Sequence, residues 1–271
     1  MDLRSYTPDS MIITEGWIVK GKEYSSQNPP SISFSYGSSE RQSFDLYLPK
    51  KQKRGEAFPA VVFIHGGYWK SFEKADFSFL AEAFLKQGIA FVSIDYDLAP
   101  NVSIDVIVAQ VRKALACFLD HAKNWQLDPD RLLLSGHSAG GHLALMTLLH
   151  DWSSHGYSAI PFKSVLSLSG LYDLEAARLC LHRDILCITA EIVESCSPLR
   201  QLQPNATPLF CLVGEGEPQE FKLQQQELAA AWAGLGNSGV FQQVEGHNHF
   251  TILDLFKELS SPQLQGLISQ L

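Results

Sequence analysis

Short apolar runs rich in β-branched residues alternate with longer helical patterns along most of this chain. Such runs occupy residues 61–64, 91–94, 132–134, 165–168 and 209–213, and a further strand is predicted at 240–244. A strand that is continuously apolar has both faces covered, as the strands of a parallel sheet do. Strands of this kind separated by helices predict an α/β fold, with a mostly parallel central sheet and helices on both faces.

The segments between the strands carry helical periodicity. Residues 104–125 have apolar side chains at steps of three and four, and residues 219–235 and 250–259 behave similarly. Residues 42–49 alternate polar and apolar side chains instead. That alternation predicts a half-exposed antiparallel strand at the leading edge of the sheet.

The 271 residues contain no internal repeat, no low-complexity tract and no linker rich in Pro, Gly or Ser. At about 150 residues per domain, the length suits one large domain or two small ones. We therefore predict a single domain over residues 1–271. Residues 171–206 lie between two predicted strands and are expected to form an irregular insertion over one end of the sheet.

The charge balance excludes one class of partner. Lys and Arg total 21 against 29 Asp and Glu, a net charge of −8, whereas a protein that follows a nucleic-acid duplex needs a basic face. The one basic run, residues 50–54, is predicted to be a solvated loop.

No apolar run approaches the roughly 18 residues of a membrane span, and no signal-like apolar region follows Met1. Five irregularly spaced cysteines indicate reduced thiols, so we expect a cytoplasmic protein that binds neither nucleic acid nor membrane.

The strongest chemical signal is Gly-His-Ser-Ala-Gly at residues 136–140, between a predicted strand and a predicted helix. A serine on such a tight turn needs small neighbours, because the backbone passes close to adjacent elements and its φ is strained. Its hydroxyl then projects from the C-terminal edge of the sheet, beside the positive end of a helix. Ser138 is therefore the candidate nucleophile, and a glycine-rich helix start without chemistry is the alternative.

A second signal is His-Gly-Gly-Tyr-Trp at residues 65–69, directly after a predicted strand. Consecutive glycines allow main-chain N–H groups to turn toward a common point, as an oxyanion hole requires. We predict that the N–H groups of Gly67, Tyr68 and Ala139 form this hole. His65 is predicted to be a structural residue that hydrogen-bonds the loop.

An acid and a histidine follow the last two predicted strands. Glu217 is predicted to orient His249, which would take the proton of Ser138. Glu215 is the second candidate for the acid, and Asp173 is a third, after an earlier strand. The order serine, acid, histidine is that of α/β-hydrolases and differs from that of chymotrypsin or subtilisin.

Residues 65–69 and 136–144 together resemble the arylformamidase (kynurenine formamidase) branch of the hormone-sensitive-lipase-like α/β-hydrolases. Further agreement comes from Ser-Gly-Leu-Tyr-Asp-Leu at residues 169–174, Ser-Pro at 197–198 and His-Phe at 249–250. The resemblance covers most of the chain from Phe44 onward. It implies an α/β-hydrolase fold, a serine triad and no cofactor.

Carried over by position, the resemblance implies that Ser138 is the nucleophile, that Gly67 and Tyr68 supply oxyanion amides, and that His249 is the base. The acid departs from the pattern, because formamidases of this type usually have aspartate where this chain has Glu217. The extra methylene of glutamate requires a slightly retracted backbone. No third ligand stands at metal-binding spacing from the His-x-His pair at 247–249, so no metal is expected.

The expected substrate is a small aryl formamide, and the resemblance implies cleavage of N-formylkynurenine to kynurenine and formate in tryptophan catabolism. Tyr68 stands where wider relatives have a third glycine and is expected to narrow the acyl side of the pocket. Trp69 is expected to offer a flat surface to the aryl group. Two alternatives stay open: a short-acyl carboxylesterase, and a binding protein of the same fold that has lost catalysis. A small molecule is the expected partner, and a homodimer stays open.

Overall fold

The computed structural model describes residues 6–50, 56–157, 160–180 and 183–271. Apart from Lys50, the predicted basic loop at 50–54 lies outside the described residues. Within the described part of the chain, none of the helices combines the length and the apolar character needed to cross a bilayer.

One sheet of eight strands, counted over the described residues, organises the molecule in the order β1-β2-β4-β3-β5-β6-β7-β8. The strands are β1 (Ile32–Ser35), β2 (Ser43–Tyr47), β3 (Phe58–Ile64), β4 (Ala90–Ile94), β5 (Leu127–His137), β6 (Ser164–Leu168), β7 (Leu209–Gly214) and β8 (Gly239–Val244). From β4 to β8 every neighbouring pair is parallel, and β1 and β2 are antiparallel to their neighbours. The carboxyl ends of the parallel strands therefore meet at one edge of the sheet.

The prediction for the leading edge is partly wrong. Strand β2 is antiparallel, as expected, but it lies between β1 and β4 and all five of its residues are buried. Its polar positions tolerate burial because the ammonium group of Lys74 donates hydrogen bonds to Ser43 Oγ and Asp45 Oδ1, each at 2.9 Å. The edge strand is β1, which the sequence did not reveal.

Helices cover both faces of the sheet. They are α1 (Ser10–Gln27), α2 (Ala81–Lys86), α3 (Ile104–His121), α4 (Ala139–Leu148), α5 (Glu175–Arg178), α6 (Arg183–Leu186), α7 (Ala190–Cys196), α8 (Gln219–Gly234) and α9 (Pro262–Ile268). Short 3₁₀ segments add Lys74–Leu80, Ala122–Trp125, Trp152–His155, Pro198–Arg200 and Thr251–Lys257.

Adjacent residues of a strand point to opposite faces, and each face has its own apolar core. Val62 belongs to the core that includes residues of α3, α4 and α8, whereas Val61 belongs to the core that includes residues of α1, α2 and α9. The predicted mostly parallel sheet with helices on both faces is thus confirmed. The predicted helix at 250–259 is a 3₁₀ segment, and α1 was not predicted.

The segment 171–206 connects β6 to β7 and contains the short helices α5, α6 and α7. Its two ends are joined to each other. The N–H of Leu174 donates to Ser197 Oγ at 2.9 Å, and the N–H of Leu199 donates to the carbonyl of Tyr172 at 2.9 Å. These two hydrogen bonds close the segment at its base, and its described residues include three short helices.

Candidate active site

Ser138 occupies the turn between β5 and α4, with φ +57° and ψ −120°. A positive φ is costly for a residue with a side chain, and strain of this kind concentrates at functional sites. The flanking glycines are required by close packing. A Cβ on Gly136 would lie 2.1 Å from the carbonyl oxygen of Gly140, and one on Gly140 would lie 2.0 Å from that of Ile64. The turn therefore presents the serine from a tightly packed elbow.

The structure brings Ser138, His249 and Glu217 together. His249 Nε2 lies 3.0 Å from Ser138 Oγ, and His249 Nδ1 lies 2.7 Å from Glu217 Oε2. All three side chains are almost fully buried, at 4%, 2% and 2% exposure for the serine, histidine and glutamate. A carboxylate only accepts hydrogen bonds, so Nδ1 carries the proton and Nε2 presents its lone pair to the serine hydroxyl.

The second oxygen of Glu217 is fixed by two neutral donors. Its Oε1 accepts hydrogen bonds from the main-chain N–H of Gly214 at 2.7 Å and from the hydroxyl of Ser169 at 2.5 Å. The backbone of Ser169 has φ +51°. No role of Ser169 was predicted from the sequence, although this residue begins the segment 169–174 that carries part of the family resemblance.

The other candidate acids lie elsewhere. Glu215 is exposed, and its carboxylate faces the N–H of Gly246 at 3.4 Å. Asp173 forms an ion pair with Arg200 at 3.1 Å. Of the three acids considered from the sequence, Glu217 is the one in contact with His249.

The loop at 65–69 lies directly against the serine. A Cβ on Gly66 would lie 2.6 Å from the main-chain carbonyl oxygen of His137 and 3.0 Å from Ser138 Cβ, so only glycine allows this approach. Gly67, Tyr68 and Trp69 all have positive φ, at +103°, +58° and +55°. Successive residues of this kind turn their amide groups away from a strand ladder, and such concave backbone suits an anion.

His65 has the structural role that the sequence predicts. Its ring is stacked on Tyr96, with centroids 4.4 Å apart, and on Phe77 at 5.9 Å. Its Nε2 lies 3.2 Å from Asp95 Oδ1, and its Nδ1 lies 2.8 Å from the carbonyl oxygen of Gly66. The ring thereby fixes the start of the loop that approaches Ser138.

Trp69 departs from its predicted position in the pocket. Its side chain is fully buried, and its indole N–H donates to His142 Nδ1 at 3.3 Å. A buried tryptophan generally finds a partner for this polar edge. Trp69 therefore belongs to the core and offers no open surface to a substrate.

Tyr68 is half-buried, and its ring lies edge-on to that of Trp69 with centroids 5.7 Å apart. Burial, and then a hydrogen bond with Cys180, raise the pKa of the Tyr68 hydroxyl above its ordinary value. Cys180 lies in the segment 171–206, so the Tyr68 side chain connects the loop at 65–69 with that segment.

His247 and His249 face different partners, since His247 Nδ1 lies 2.9 Å from the carbonyl oxygen of Thr251. In the described part of the chain, no three His, Cys, Asp or Glu side chains are placed to hold one metal ion.

Residues 44–231 match the family model BD-FAE. The chain is 31% identical to kynurenine formamidase of Danio rerio, over 81% of this chain and 74% of that protein. It is also 30% identical to an Arabidopsis thaliana protein named probable isoprenylcysteine alpha-carbonyl methylesterase, over 72% of this chain and 43% of that protein.

The fold is similar to that of a solved structure. A crystal structure from Silicibacter sp. TM1040, named as a candidate thioesterase, superimposes with a TM-score of 0.82 and 26% identity. That match covers 97% of this chain and 95% of the other. The architecture is thus that of the α/β-hydrolases.

Proposed function

Because this chain belongs to the BD-FAE family and is a hydrolase of the α/β fold, we propose that it cleaves N-formylkynurenine to kynurenine and formate, with Ser138 as the nucleophile. The main support for this proposal is a continuous hydrogen-bond chain through the His249 ring. Its Nε2 lies 3.0 Å from Ser138 Oγ, and its Nδ1 lies 2.7 Å from Glu217 Oε2. The likeness to a protein named kynurenine formamidase over most of the chain supports the choice of substrate.

In the first step Ser138 Oγ attacks the formyl carbon while its proton passes to His249 Nε2. Glu217 stabilises the imidazolium that forms, because its carboxylate faces the other ring nitrogen. The carbonyl oxygen becomes an anion, for which the N–H groups of Gly67, Tyr68 and Ala139 are the proposed donors. Donors fixed in advance stabilise such charge more than mobile water does.

In the second step the carbon–nitrogen bond breaks, and His249 returns the proton to the leaving arylamine nitrogen. An arylamine leaves more readily than an alkylamine, so one imidazolium suffices as the acid. A water molecule then gives a proton to His249 and attacks the formyl ester of Ser138. Formate leaves, and the serine recovers its proton.

The preference for a formyl group follows from Tyr68. Its ring is packed edge-on against Trp69, and Trp69 is itself fully buried and bonded to His142. The Tyr68 ring therefore has a rigid support behind it. The formyl carbon bears only a hydrogen atom and fits beside the Tyr68 ring, whereas a longer acyl chain would clash with that ring.

The test is a substrate series on one enzyme preparation: N-formylkynurenine beside p-nitrophenyl formate, acetate and butyrate. We expect efficient cleavage of the formamide, and kcat/KM that falls from the formyl to the butyryl ester. Negligible formamide cleavage, with kcat/KM rising toward butyrate, would contradict the proposal.

A short-acyl carboxylesterase is the second candidate. The similarity to the Arabidopsis thaliana protein named as a methylesterase favours it. That match covers only 43% of the methylesterase, because the methylesterase is the longer protein. The same series separates the two candidates. A Tyr68→Gly variant adds a matched control, because it should raise activity on butyrate more than on formate if Tyr68 limits the acyl group.

A further inference from the structure

His137, the residue before the nucleophile, makes a direct bond to the residue proposed as the base. The ring is 3% exposed, and its Nε2 lies 2.7 Å from the carbonyl oxygen of His249. A carbonyl only accepts, so Nε2 carries the proton and donates. His137 Nδ1 is consequently unprotonated, and among the described residues it has no hydrogen-bond partner.

The hydrogen bond between His137 and His249 connects the backbone segments that carry Ser138 and His249. The backbone of His137 continues directly into Ser138, and its side chain holds the backbone of His249. The acceptor belongs to a residue that is itself only 2% exposed, so the bond is difficult to replace with water. The Ser138–His249 separation is thus set by a second connection besides the 3.0 Å contact of their side chains.

Helix α1 closes the surroundings of this bond. Trp17 lies edge-on to the His137 ring, with centroids 6.0 Å apart, and also contacts Phe250, the neighbour of His249, at 6.0 Å. On another side a Cβ on Gly66 would come 3.3 Å from His137 Nδ1. The imidazole therefore sits in a close-packed, mostly apolar site.

These surroundings keep the imidazole neutral. Burial, followed by the nearby His249, lowers the pKa of His137 to about 3. The rings of His137 and His249 are 5.0 Å apart, so a charge on His137 would oppose the imidazolium that forms during the reaction. A neutral ring donates its hydrogen bond without that repulsion.

We propose that His137 is a positioning residue, which holds the backbone of His249 at the distance needed to deprotonate Ser138. This inference rests on the proposed function, in which His249 is the base. His137, at the first variable position of the Gly-x-Ser-x-Gly turn, would position His249. Helix α1 would support it, because Trp17 of that helix packs against the His137 ring.

The test compares His137→Gln with His137→Asn. Glutamine can present an amide N–H near the place of Nε2, whereas asparagine is shorter by one methylene and cannot reach. We expect kcat of His137→Gln on N-formylkynurenine within about threefold of wild type, and kcat of His137→Asn about 10- to 100-fold lower, since misplacement near 1 Å costs about that much. KM should change by less than about twofold in both. The rate at which a fluorophosphonate labels Ser138 should fall in parallel with kcat, because labelling also needs the base.

His121 supplies a control outside the site. Its Nδ1 lies 2.9 Å from a carbonyl oxygen, that of Cys117, and its ring is stacked on Trp125 with centroids 5.3 Å apart. His121→Asn should lower thermal stability, because it removes these contacts, yet leave kcat within about threefold of wild type.

Equal loss of kcat in the two asparagine variants would overturn the inference, as would wild-type kcat in His137→Asn. An equal loss in His137→Gln and His137→Asn would overturn it too. Failure of the proposed function looks different: wild type would cleave N-formylkynurenine negligibly, or His249→Ala would keep most of the activity, whatever the His137 variants do.

Discussion

Two buried histidines in this molecule are paired with carboxylates, yet their surroundings differ. His249 Nδ1 lies 2.7 Å from Glu217, and His65 Nε2 lies 3.2 Å from Asp95. The other nitrogen of His249 faces the hydroxyl of Ser138, whereas the other nitrogen of His65 faces the carbonyl oxygen of Gly66. A lone pair directed at a hydroxyl can remove a proton, and a ring held between two oxygen acceptors only fixes structure.

The two carboxylates differ in the same sense. Asp95 has a cationic partner, Arg41, whose Nη2 lies 2.7 Å from Oδ1. In the described part of the chain the other contacts of Glu217 are the neutral donors Ser169 and Gly214, so no fixed cation offsets its charge. The charge of Glu217 is thus available to an imidazolium, while that of Asp95 is already compensated.

The largest effect should come from Ser138→Ala, which removes the hydroxyl facing His249 and leaves the His65–Asp95 pair intact. We expect kcat on N-formylkynurenine to fall by about 10⁶-fold, leaving the residual rate that binding and the oxyanion donors supply. Ser167→Ala is the control. Ser167 is buried on the neighbouring strand, and its hydroxyl contacts that of Tyr172. Comparable activity in the two variants would exclude Ser138 as the nucleophile.

The next effect concerns the acid. Glu217→Gln should lower kcat by about 10⁴-fold, because the imidazole loses the charge that orients and stabilises it. Glu215→Gln changes the same residue type two positions away, on an exposed side chain, and should stay within about twofold of wild type. Steady-state kinetics of the two variants tests which glutamate is the acid. A larger loss of kcat in Glu215→Gln than in Glu217→Gln would identify Glu215 as the acid instead.

Asp95→Asn should separate structure from catalysis. Removing one partner of a buried pair leaves the other uncompensated, and because Arg41 is partly exposed we expect a loss of about 2–3 kcal/mol in the free energy of unfolding. The kcat should fall by no more than about tenfold, through looser support of the loop at 65–69. Urea melts and kinetics on one preparation test this. An Asp95→Asn protein of normal stability with a rate as low as that of Glu217→Gln would erase the distinction between the two pairs.

The last prediction concerns the pH dependence of stability. Burial lowers the pKa of His137 to about 3 and that of His142 to about 4. In the unfolded chain both groups return to ordinary values near 6.5, so the unfolded state binds more protons below that pH. Their contribution to stability is complete above about pH 6.5 and is lost as the pH falls toward 4, at about 1.4 kcal/mol per pH unit for each histidine.

His142→Gln should remove about half of this slope between pH 6 and 4.5, because glutamine does not titrate. Urea melts at several pH values measure it. An unchanged slope in this variant would assign the acid sensitivity to groups other than His142.

Local signals made much of this arrangement predictable. The glycines around Ser138 and the apolar strands on either side are sequence patterns with a direct steric cause. Glu217 and His249 could be placed because the carboxyl ends of parallel strands meet at one edge of the sheet. The assignment of Glu217 over Glu215 depended on two residues of spacing, and the structure separates them by burial.

The features that the sequence did not reveal depend on distant partners. Helix α1 lacks a regular apolar stripe: Ile12 and Val19 are exposed, and it packs through Gly21 and Trp17. A Cβ on Gly21 would lie 2.3 Å from the carbonyl oxygen of Ala75, which shows how close that approach is. Trp69 was misplaced for a similar reason, because its partner His142 is 73 residues away.

One measurement tests the distinction between the two histidines most directly: the site and rate of fluorophosphonate labelling in wild type, Glu217→Gln and Asp95→Asn, read by peptide mass spectrometry. We expect Ser138 to be the labelled residue in all three proteins. The labelling rate should fall by about 10³-fold or more in Glu217→Gln and by no more than about tenfold in Asp95→Asn. Label on a residue other than Ser138, or equal rates in the two variants, would contradict it.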